Sequence, residues 1–184
     1  DMAKSRGLGD VYKRQEMKRV KLINDPAELV ALFRAVDSEV RRNVLSTLAE
    51  GWTMISELND KFGDEANDII VYYEKFKLIE SRWEVNKETG RPEKSYRTFY
   101  NAFQISTSLT FDETQELLTV VLMPDKEFIK YEAKIVELIG EGGTFANDVG
   151  RDIGVSSLTL KGLVRRSVKF DFKGHNIVPL KEEE

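Results

Sequence analysis

The sequence predicts a mainly α-helical protein with small β-hairpins, of the α+β class, organised as two helix-turn-helix units joined by a linking helix. Short amphipathic segments with helix-capping residues are twice followed by alternating segments that are typical of β-strands. The second half of the chain repeats the order of elements of the first half without repeating its sequence. The predicted boundaries are 17–106 for the first domain, 107–124 for the linking helix and 125–181 for the second domain.

Composition limits the functions that the chain can have. Its 184 residues are 41% hydrophobic and 33% charged, which suits one or two compact domains. The chain has no cysteine, so disulfides, thiolate metal sites and thiol nucleophiles are excluded. It has no apolar run of about 20 residues and no signal-peptide pattern. We therefore expect a cytoplasmic protein that does not associate with membranes.

The two ends of the chain differ in pattern from the rest. Residues 5–15 show no apolar period and resemble a translated adapter from a sequencing library, so we interpret 1–16 as an artefactual or disordered segment and Met17 as the natural start. The alternative is a natural basic arm that contacts DNA phosphates. Residues 182–184 are a short acidic tail.

Four helices are predicted in the first domain. A leading helix begins after Asp25 and Pro26, a candidate N-cap and a first-turn proline. Three shorter helices follow and form the helix-turn-helix. They are predicted at 38–49, capped by Asp37, at 53–62, capped by Thr53, and at about 64–76.

A β-hairpin is predicted after these helices. Segments 81–86 and 95–105 alternate and are rich in aromatic residues, and a basic turn with Gly90 and Pro92 separates them. Helices followed directly by such a hairpin have the order of a winged helix, in which the hairpin is the wing.

The linking helix and the second domain are predicted by the same signals. Thr110 and Glu113 form a capping-box pattern, and the apolar residues of the helix that they open extend more than halfway round it. We expect this helix to be buried between domains or across a dimer. After Pro124 a long helix, two short helices, capped by Thr144 and begun at Ser156, and a reduced hairpin at 168–180 are predicted.

Part of the chain resembles a known family of regulators. Residues 32–100 resemble the winged-helix domain of ArsR-like regulators, through the segments 33–48, 55–58 and 73–79. The whole chain is similar to an archaeal two-domain group of these proteins. The resemblance implies a DNA-binding transcriptional regulator that is usually dimeric. Metal-sensing members carry paired cysteines on the helix that matches 53–62, and this chain has none, so thiolate metal sensing is not expected.

The first domain offers few groups that could read DNA bases. The positions of the family's base-contacting helix fall on Asn67 and its neighbours, and Asn67 alone has the amide expected of a base reader. Asp64, Glu65 and Asp68 would repel phosphates. The candidate phosphate ligands of the wing are Lys87, Arg91, Lys94 and Arg97, with Glu84, Glu88 and Glu93 diluting their charge. The alternative is a solvated hairpin of mixed charge.

The second domain is the more basic candidate. Residues 151–181 contain seven basic and two acidic residues. A serine-capped helix start followed by cations is suited to phosphate binding. The alternative is that cations near a helix C-terminus simply stabilise its dipole. The predicted DNA ligands here are Ser156, Ser157, Thr159, Lys161, Arg165, Arg166, Lys169 and Lys173.

These observations favour a transcriptional regulator that binds double-stranded DNA, as a homodimer and without thiolate metal sensing. The alternative is a winged-helix interaction module that docks on the transcription machinery or another protein, which the acids near Asn67 favour. We expect no enzymatic activity, cofactor or metal, because the sequence shows no nucleophile–base pair, ligand cluster or cofactor-binding loop.

Overall fold

The computed structural model describes residues 19–181. The predictions for residues 1–16 and for the acidic tail therefore lie outside the described residues. Within 19–181 the elements are, in chain order, β1 (Val20–Ile23), α1 (Glu28–Ala35), α2 (Glu39–Glu50), β2 (Thr53–Met54), α3 (Ile55–Phe62), α4 (Glu65–Lys75), β3 (Ile79–Val85), β4 (Pro92–Thr98), β5 (Ala102–Ile105), α5 (Phe111–Leu122), α6 (Asp125–Leu138), β6 (Thr144–Phe145), α7 (Ala146–Ile153), α8 (Ser157–Arg166), β7 (Phe170–Lys173) and β8 (Asn176–Pro179). The predicted class, mainly α with small β-hairpins, is confirmed.

The chain folds into two compact units. Of the described residues, 19–23 and 38–106 form the first unit, and 24–37 and 107–181 form the second. These limits differ from the predicted boundaries, because α1 packs on α8 and α5 and so belongs to the second unit. The linking helix α5 is likewise part of that unit's core. Sequence periodicity shows which face of a helix is apolar but does not show which partner covers it.

The first unit is built around a three-helix core and a hairpin. Helices α2, α3 and α4 enclose the buried side chains of Val44, Leu48, Leu58 and Tyr73. The Tyr73 hydroxyl donates to the carbonyl oxygen of Arg41 at 2.8 Å, so the one polar atom of this large core residue is satisfied. Strands β2, β4 and β3 form an antiparallel sheet in that order.

The hairpin is shorter than predicted. The expected strand at 95–105 is two strands, β4 and β5, interrupted by bends at Phe99 and Asn101. After these bends β5 leaves the hairpin and pairs in parallel with β1, with Val20 opposite Ala102. Alternation along 95–105 continues through the bends, so the pattern alone did not reveal the change of partner.

Three predicted helix caps are wrong, two of them for a common reason. The N-cap of α2 is Ser38, whose hydroxyl accepts from the Arg41 N–H at 3.2 Å, and not Asp37. Thr53 and Thr144 are not caps either, because each begins a two-residue strand that pairs with the following hairpin. A threonine before a helix suits both an N-cap and an extended strand, and the tertiary pairing decides between them.

The second unit has the same order of strands in its sheet, β6, β8 and β7. Its core contains buried residues from α1, α5, α6, α7, α8 and the hairpin, including Val30, Val120, Ile135, Leu163 and Phe170. Helix α8 approaches α1 and α5 at Gly162, where a Cβ would lie 3.3 Å from Val120 Cγ1 and 3.4 Å from Val30 Cγ2. The predicted capping box of α5 is confirmed by the hydrogen bonds between Thr110 and Glu113.

Glu93 joins the hairpin of the first unit to the start of α3. Its carboxylate accepts from the Ser56 N–H at 2.5 Å and from the Asn86 side-chain amide at 2.9 Å. The Ser56 hydrogen bonds, assisted by the Asn86 amide, lower the pKa of Glu93 below its usual value. Glu93 therefore satisfies an N-terminal donor of a helix in addition to diluting the charge of the wing.

We expect Glu93→Gln to lower the free energy of unfolding of the first unit by about 1 kcal/mol at neutral pH, since it replaces a charged acceptor at a helix N-terminus. The folded-state pKa lies below the reference value of 4.5, so this contribution is complete above pH 4.5 and is lost as the pH falls through the folded-state value. Both tryptophans, Trp52 and Trp83, lie in this unit, so their fluorescence during urea unfolding measures it.

Glu88→Gln in the turn of the same hairpin is the matched control, because Glu88 is exposed and its replacement removes the same charge. A deficit for Glu93→Gln that persisted unchanged in acid, or an equal deficit for the control, would contradict this role for the carboxylate.

Candidate nucleic-acid interface

Helix α8 is the second unit's counterpart of α4, the helix that precedes the hairpin. Gly154 is in the left-handed conformation with a φ of 73° and ends α7. The Ser156 hydroxyl then accepts from the Thr159 N–H at 3.0 Å and caps α8, as predicted. Leu160 and Leu163 face the core, which leaves Ser157 and Lys161 exposed.

A cavity of about 680 Å³ lies against the exposed side of α8, within the second unit. It brings together three of the predicted ligands, Ser157, Lys161 and Arg165. It also adds His175 from the hairpin turn and Arg151 from α7, and the sequence analysis did not name Arg151 as a ligand. A signal for Arg151 was present, because it is a basic residue in the last turn of α7, the helix that directly precedes α8.

The cations of this region differ in how they are engaged. Lys161 and Lys173 are exposed, and among residues 19–181 neither forms an ion pair. Arg151 is exposed and pairs with Asp148 one turn earlier on α7. Arg165 is half-buried, with carboxylates of Asp25 and Asp171 at 3.9 Å and 3.8 Å. The exposed pair of Arg151 and Asp148 contributes little to stability.

The hydroxyls at the start of α8 are already occupied. Ser156 Oγ donates to Glu116 Oε2 at 2.6 Å, and Thr159 Oγ1 donates to the same oxygen at 3.2 Å. The carboxylate of Glu116, on α5, thus occupies the position that an anion takes at a helix N-terminus. Ser156 and Thr159 join α8 to α5, and only Ser157 of the predicted hydroxyls remains on the cavity side.

Arg166 is a structural residue rather than a surface ligand. Its guanidinium donates to the carbonyl oxygens of Val120 at 2.8 Å and Met123 at 2.7 Å, and to the Asp125 carboxylate at 2.8 Å. It also stacks on Phe128, at 4.4 Å from the ring centroid. Burial lowers the pKa of Arg166, with a smaller contribution in the same direction from Arg34, while Asp125 opposes the shift.

Lys169 lies just after α8 and is partly engaged. Its ammonium is 3.0 Å from Glu132 Oε1, and Glu132 Oε2 accepts from the Ser167 hydroxyl at 2.6 Å. The buried Glu132 of α6 therefore fixes the start of the hairpin. Lys169 keeps more than half of its side chain exposed and retains access to solvent.

The wing cations of the first unit fall into two groups. Lys87 and Arg91 are exposed in the hairpin turn and form no ion pair among the described residues. Lys94 lies over the ring of Trp83 at 5.8 Å. Arg97 pairs with Glu80 at 2.5 Å and stacks on Trp52 at 4.6 Å, so it is held against the sheet.

The helix α4 presents the acids that the sequence predicted. Asn67 is exposed, and its side-chain oxygen accepts from the Asn59 amide at 3.4 Å. Asp64, Glu65 and Asp68 are exposed beside it, and Ile69 is buried in the core. The exposed surface at the start of α4 is therefore acidic.

Comparison with models of protein families identifies the family of the chain. The family model described as ArsR transcriptional regulator matches residues 23–181. The chain belongs to the ArsR family of transcriptional regulators. The resemblance noted from the segments at 33–48, 55–58 and 73–79 is confirmed at the level of the family. No curated protein matches the chain.

The match begins at the last residue of β1 and continues past the second hairpin, so it covers residues from both units of this ArsR-family chain. Among residues 19–181, no helix combines the length and the apolar character needed to cross a membrane.

We expect Arg166→Met to destabilise the second unit by roughly 3 kcal/mol, because the carbonyls of Val120 and Met123 and the Asp125 carboxylate lose their donor. Hydrogen exchange measured by mass spectrometry on peptides from 111–170 would report the loss of protection. Arg151→Met, which removes an exposed guanidinium from the same unit, should change protection by no more than about 0.5 kcal/mol. Equal protection in the two variants would show that the buried hydrogen bonds of Arg166 do not stabilise the unit.

Proposed function

We propose that this ArsR-family chain regulates transcription by binding double-stranded DNA, and that the second unit supplies most of the electrostatic attraction. The observation that carries the proposal is the set of exposed cations beside α8. Arg151 and Lys161 lie on its cavity side, and Lys173 precedes Gly174, which lines the same cavity. Cations displayed beside the helix before a hairpin are suited to phosphate contacts on either side of a groove.

The proposed division of roles follows from how each residue is engaged. Lys161, Lys173 and Arg151 are the phosphate ligands, and Ser157 is the nearest candidate for a base or phosphate contact at the start of α8. Ser156, Thr159 and Arg166 hold α8 in place, since their polar atoms are used within the unit. In this proposal both units are winged helices.

The two units differ in the sign of the surface that they present. Lys87 and Arg91 give the first wing a weaker phosphate-binding capacity, because Asp64, Glu65 and Asp68 are exposed on α4. The same acids favour a second candidate function for the first unit, namely docking of a basic protein of the transcription machinery. In that case the first unit would contribute little to DNA affinity.

We also propose that the chain acts as a homodimer through α5. Phe111, Leu118 and Leu122 are 89%, 43% and 75% exposed and follow one another at intervals of seven and four residues. An apolar stripe of this kind is what a helix presents to a second copy of itself. Val121, also on α5, is buried within the unit and is not part of this surface.

Metal regulation through thiolates has no place in the proposal, because the chain contains no cysteine. Within the described residues, no group of three or more His, Asp or Glu side chains is arranged to hold a metal ion. We propose that any effector of this regulator acts through other chemistry.

For DNA binding we expect the double variant Lys161→Gln, Lys173→Gln to bind a labelled mixed-sequence duplex more weakly than Lys87→Gln, Arg91→Gln. Two lost phosphate contacts should also reduce the slope of log K against log salt by about two, roughly 0.9 per contact. Fluorescence anisotropy over a series of salt concentrations measures both quantities. The two variants each remove two positive charges, so they control for net charge.

If the wing variant lost affinity and the α8 variant did not, DNA contact would belong to the first unit. If the unmodified protein bound no duplex even at low salt, the docking function would replace DNA binding.

For dimerisation we expect Leu118→Glu, Leu122→Glu to convert a dimer into a monomer, since two charges would be buried in the stripe. Sedimentation velocity measures the mass, and circular dichroism checks that the helices remain. Ile129→Glu on α6 changes an exposed apolar residue of the same unit and should leave the dimer intact. A monomeric unmodified protein, or a dimer that survives the double substitution, would remove α5 as the interface.

A further inference from the structure

The cavity beside α8 has an apolar lining and a volume that DNA binding alone does not explain. A phosphate of a duplex needs cations at the surface and no apolar floor. This cavity has a volume of about 680 Å³ and is lined by apolar groups that include Phe145, Val155, Leu160 and Phe172. Its volume lies in the range of pockets that enclose small organic molecules.

The polar groups of the cavity define the charge of such a molecule. Lys161 and Arg151 stand at its exposed side, and Arg165 lies deeper, half-buried between Asp25 and Asp171. Of the described residues that line the cavity, Asp25 is the one acid, against the three cations Lys161, Arg151 and Arg165. Arg151 also pairs with Asp148, and Arg165 with Asp25 and Asp171, so Lys161 is the lining cation that forms no ion pair among residues 19–181. Asp25 is partly engaged, since one of its carboxylate oxygens accepts from the Ala27 N–H at 3.0 Å. The lining therefore favours an anion.

The aromatic groups define its shape. Phe145 is 44% exposed, and its ring meets the His175 imidazole edge-on at a centroid distance of 6.5 Å. These two rings lie at the cavity and belong to different elements, the end of β6 and the turn of the β7–β8 hairpin. A planar ring placed beside them would cover exposed aromatic surface that the unit leaves open.

We propose that this cavity binds a small organic acid, a carboxylate carried by a planar ring system, and that this ligand is an effector of the regulator. The carboxylate would pair with Lys161 and Arg151, and the ring would lie on Phe145 above the apolar floor. The regulatory part of the inference rests on the proposed DNA binding. Lys161 and Arg151 serve both ligands, so a bound acid and a DNA phosphate exclude each other.

The binding test uses the full chain without DNA and a matched pair of probes, indole-3-acetate and its neutral amide, indole-3-acetamide. Isothermal titration at low salt should show the acid binding at least about ten-fold more tightly, since only the acid forms charge-assisted hydrogen bonds. Lys161→Gln and Arg151→Gln should each reduce the affinity for the acid and leave that for the amide unchanged. Phe145→Ala should weaken both probes.

Lys134→Gln on α6 is the control, because it removes an exposed lysine of the same unit that does not line the cavity. It should bind the acid as the unmodified protein does. Equal affinity for acid and amide, no binding of either, or the same loss in the control as in Lys161→Gln would overturn the proposed site.

The regulatory test adds the labelled duplex. Saturating indole-3-acetate should release DNA, whereas indole-3-acetamide, and sodium acetate at the same ionic strength, should not. If the acid bound and DNA binding did not change, the cavity would remain a binding site for the acid, but its role as an effector site would be refuted. Absence of DNA binding without any ligand would refute the proposed function, and the titrations would still decide whether the site exists.

Discussion

The second unit depends on the close approach of α8 to α1 and α5 at Gly162. A Cβ at position 162 would lie 3.3 Å from Val120 Cγ1 and 3.4 Å from Val30 Cγ2, which is tighter than most side-chain contacts, so a glycine lets both valines pack on the backbone of α8 without adjustment. Because the two helices are close, the guanidinium of Arg166, one turn later on α8, donates to the carbonyl oxygens at the end of α5. These two contacts fix the position of α8 and so determine which of its side chains face solvent.

This packing separates the basic residues near α8 into two kinds. Arg166 stabilises the unit and has no access to a ligand, whereas Lys161, a little more than one turn earlier, is exposed and forms no ion pair among the described residues. The N-terminus of the helix is divided in the same way. Ser156 is bound by Glu116 and Ser157 is open to the cavity. On a helix that is buried on one side and at one end, residues that are neighbours in sequence can therefore have different roles, one within the core and one at the surface.

In the first unit, several charged residues of the hairpin make contacts that hold the hairpin in place. The guanidinium groups of Arg82 and Arg97 both lie over the Trp52 ring, 4.1 Å and 4.6 Å from its centroid. Glu93 fastens the hairpin to α3. Of the four wing cations, Lys87 and Arg91 in the turn form no ion pair among the described residues, and they share the unit with a helix that displays acids. The proposed division, with DNA contact by the second unit and protein docking by the first, rests on this difference in exposed charge.

The sequence by itself determined the class of the fold, most helix positions, both hairpins, the caps at Thr110 and Ser156, and the family, because these depend on local periodicity and local hydrogen bonding. Tertiary structure alone decided that α1 belongs to the second unit, that Thr53 and Thr144 enter strands, and that Arg166 is buried while Arg151 joins Lys161 at one cavity. The physical reason is that a sequence pattern records the polarity of a face but not the group that covers it. Whether a cationic side chain donates to a buried carbonyl or is exposed to solvent depends on how distant segments of the chain pack together.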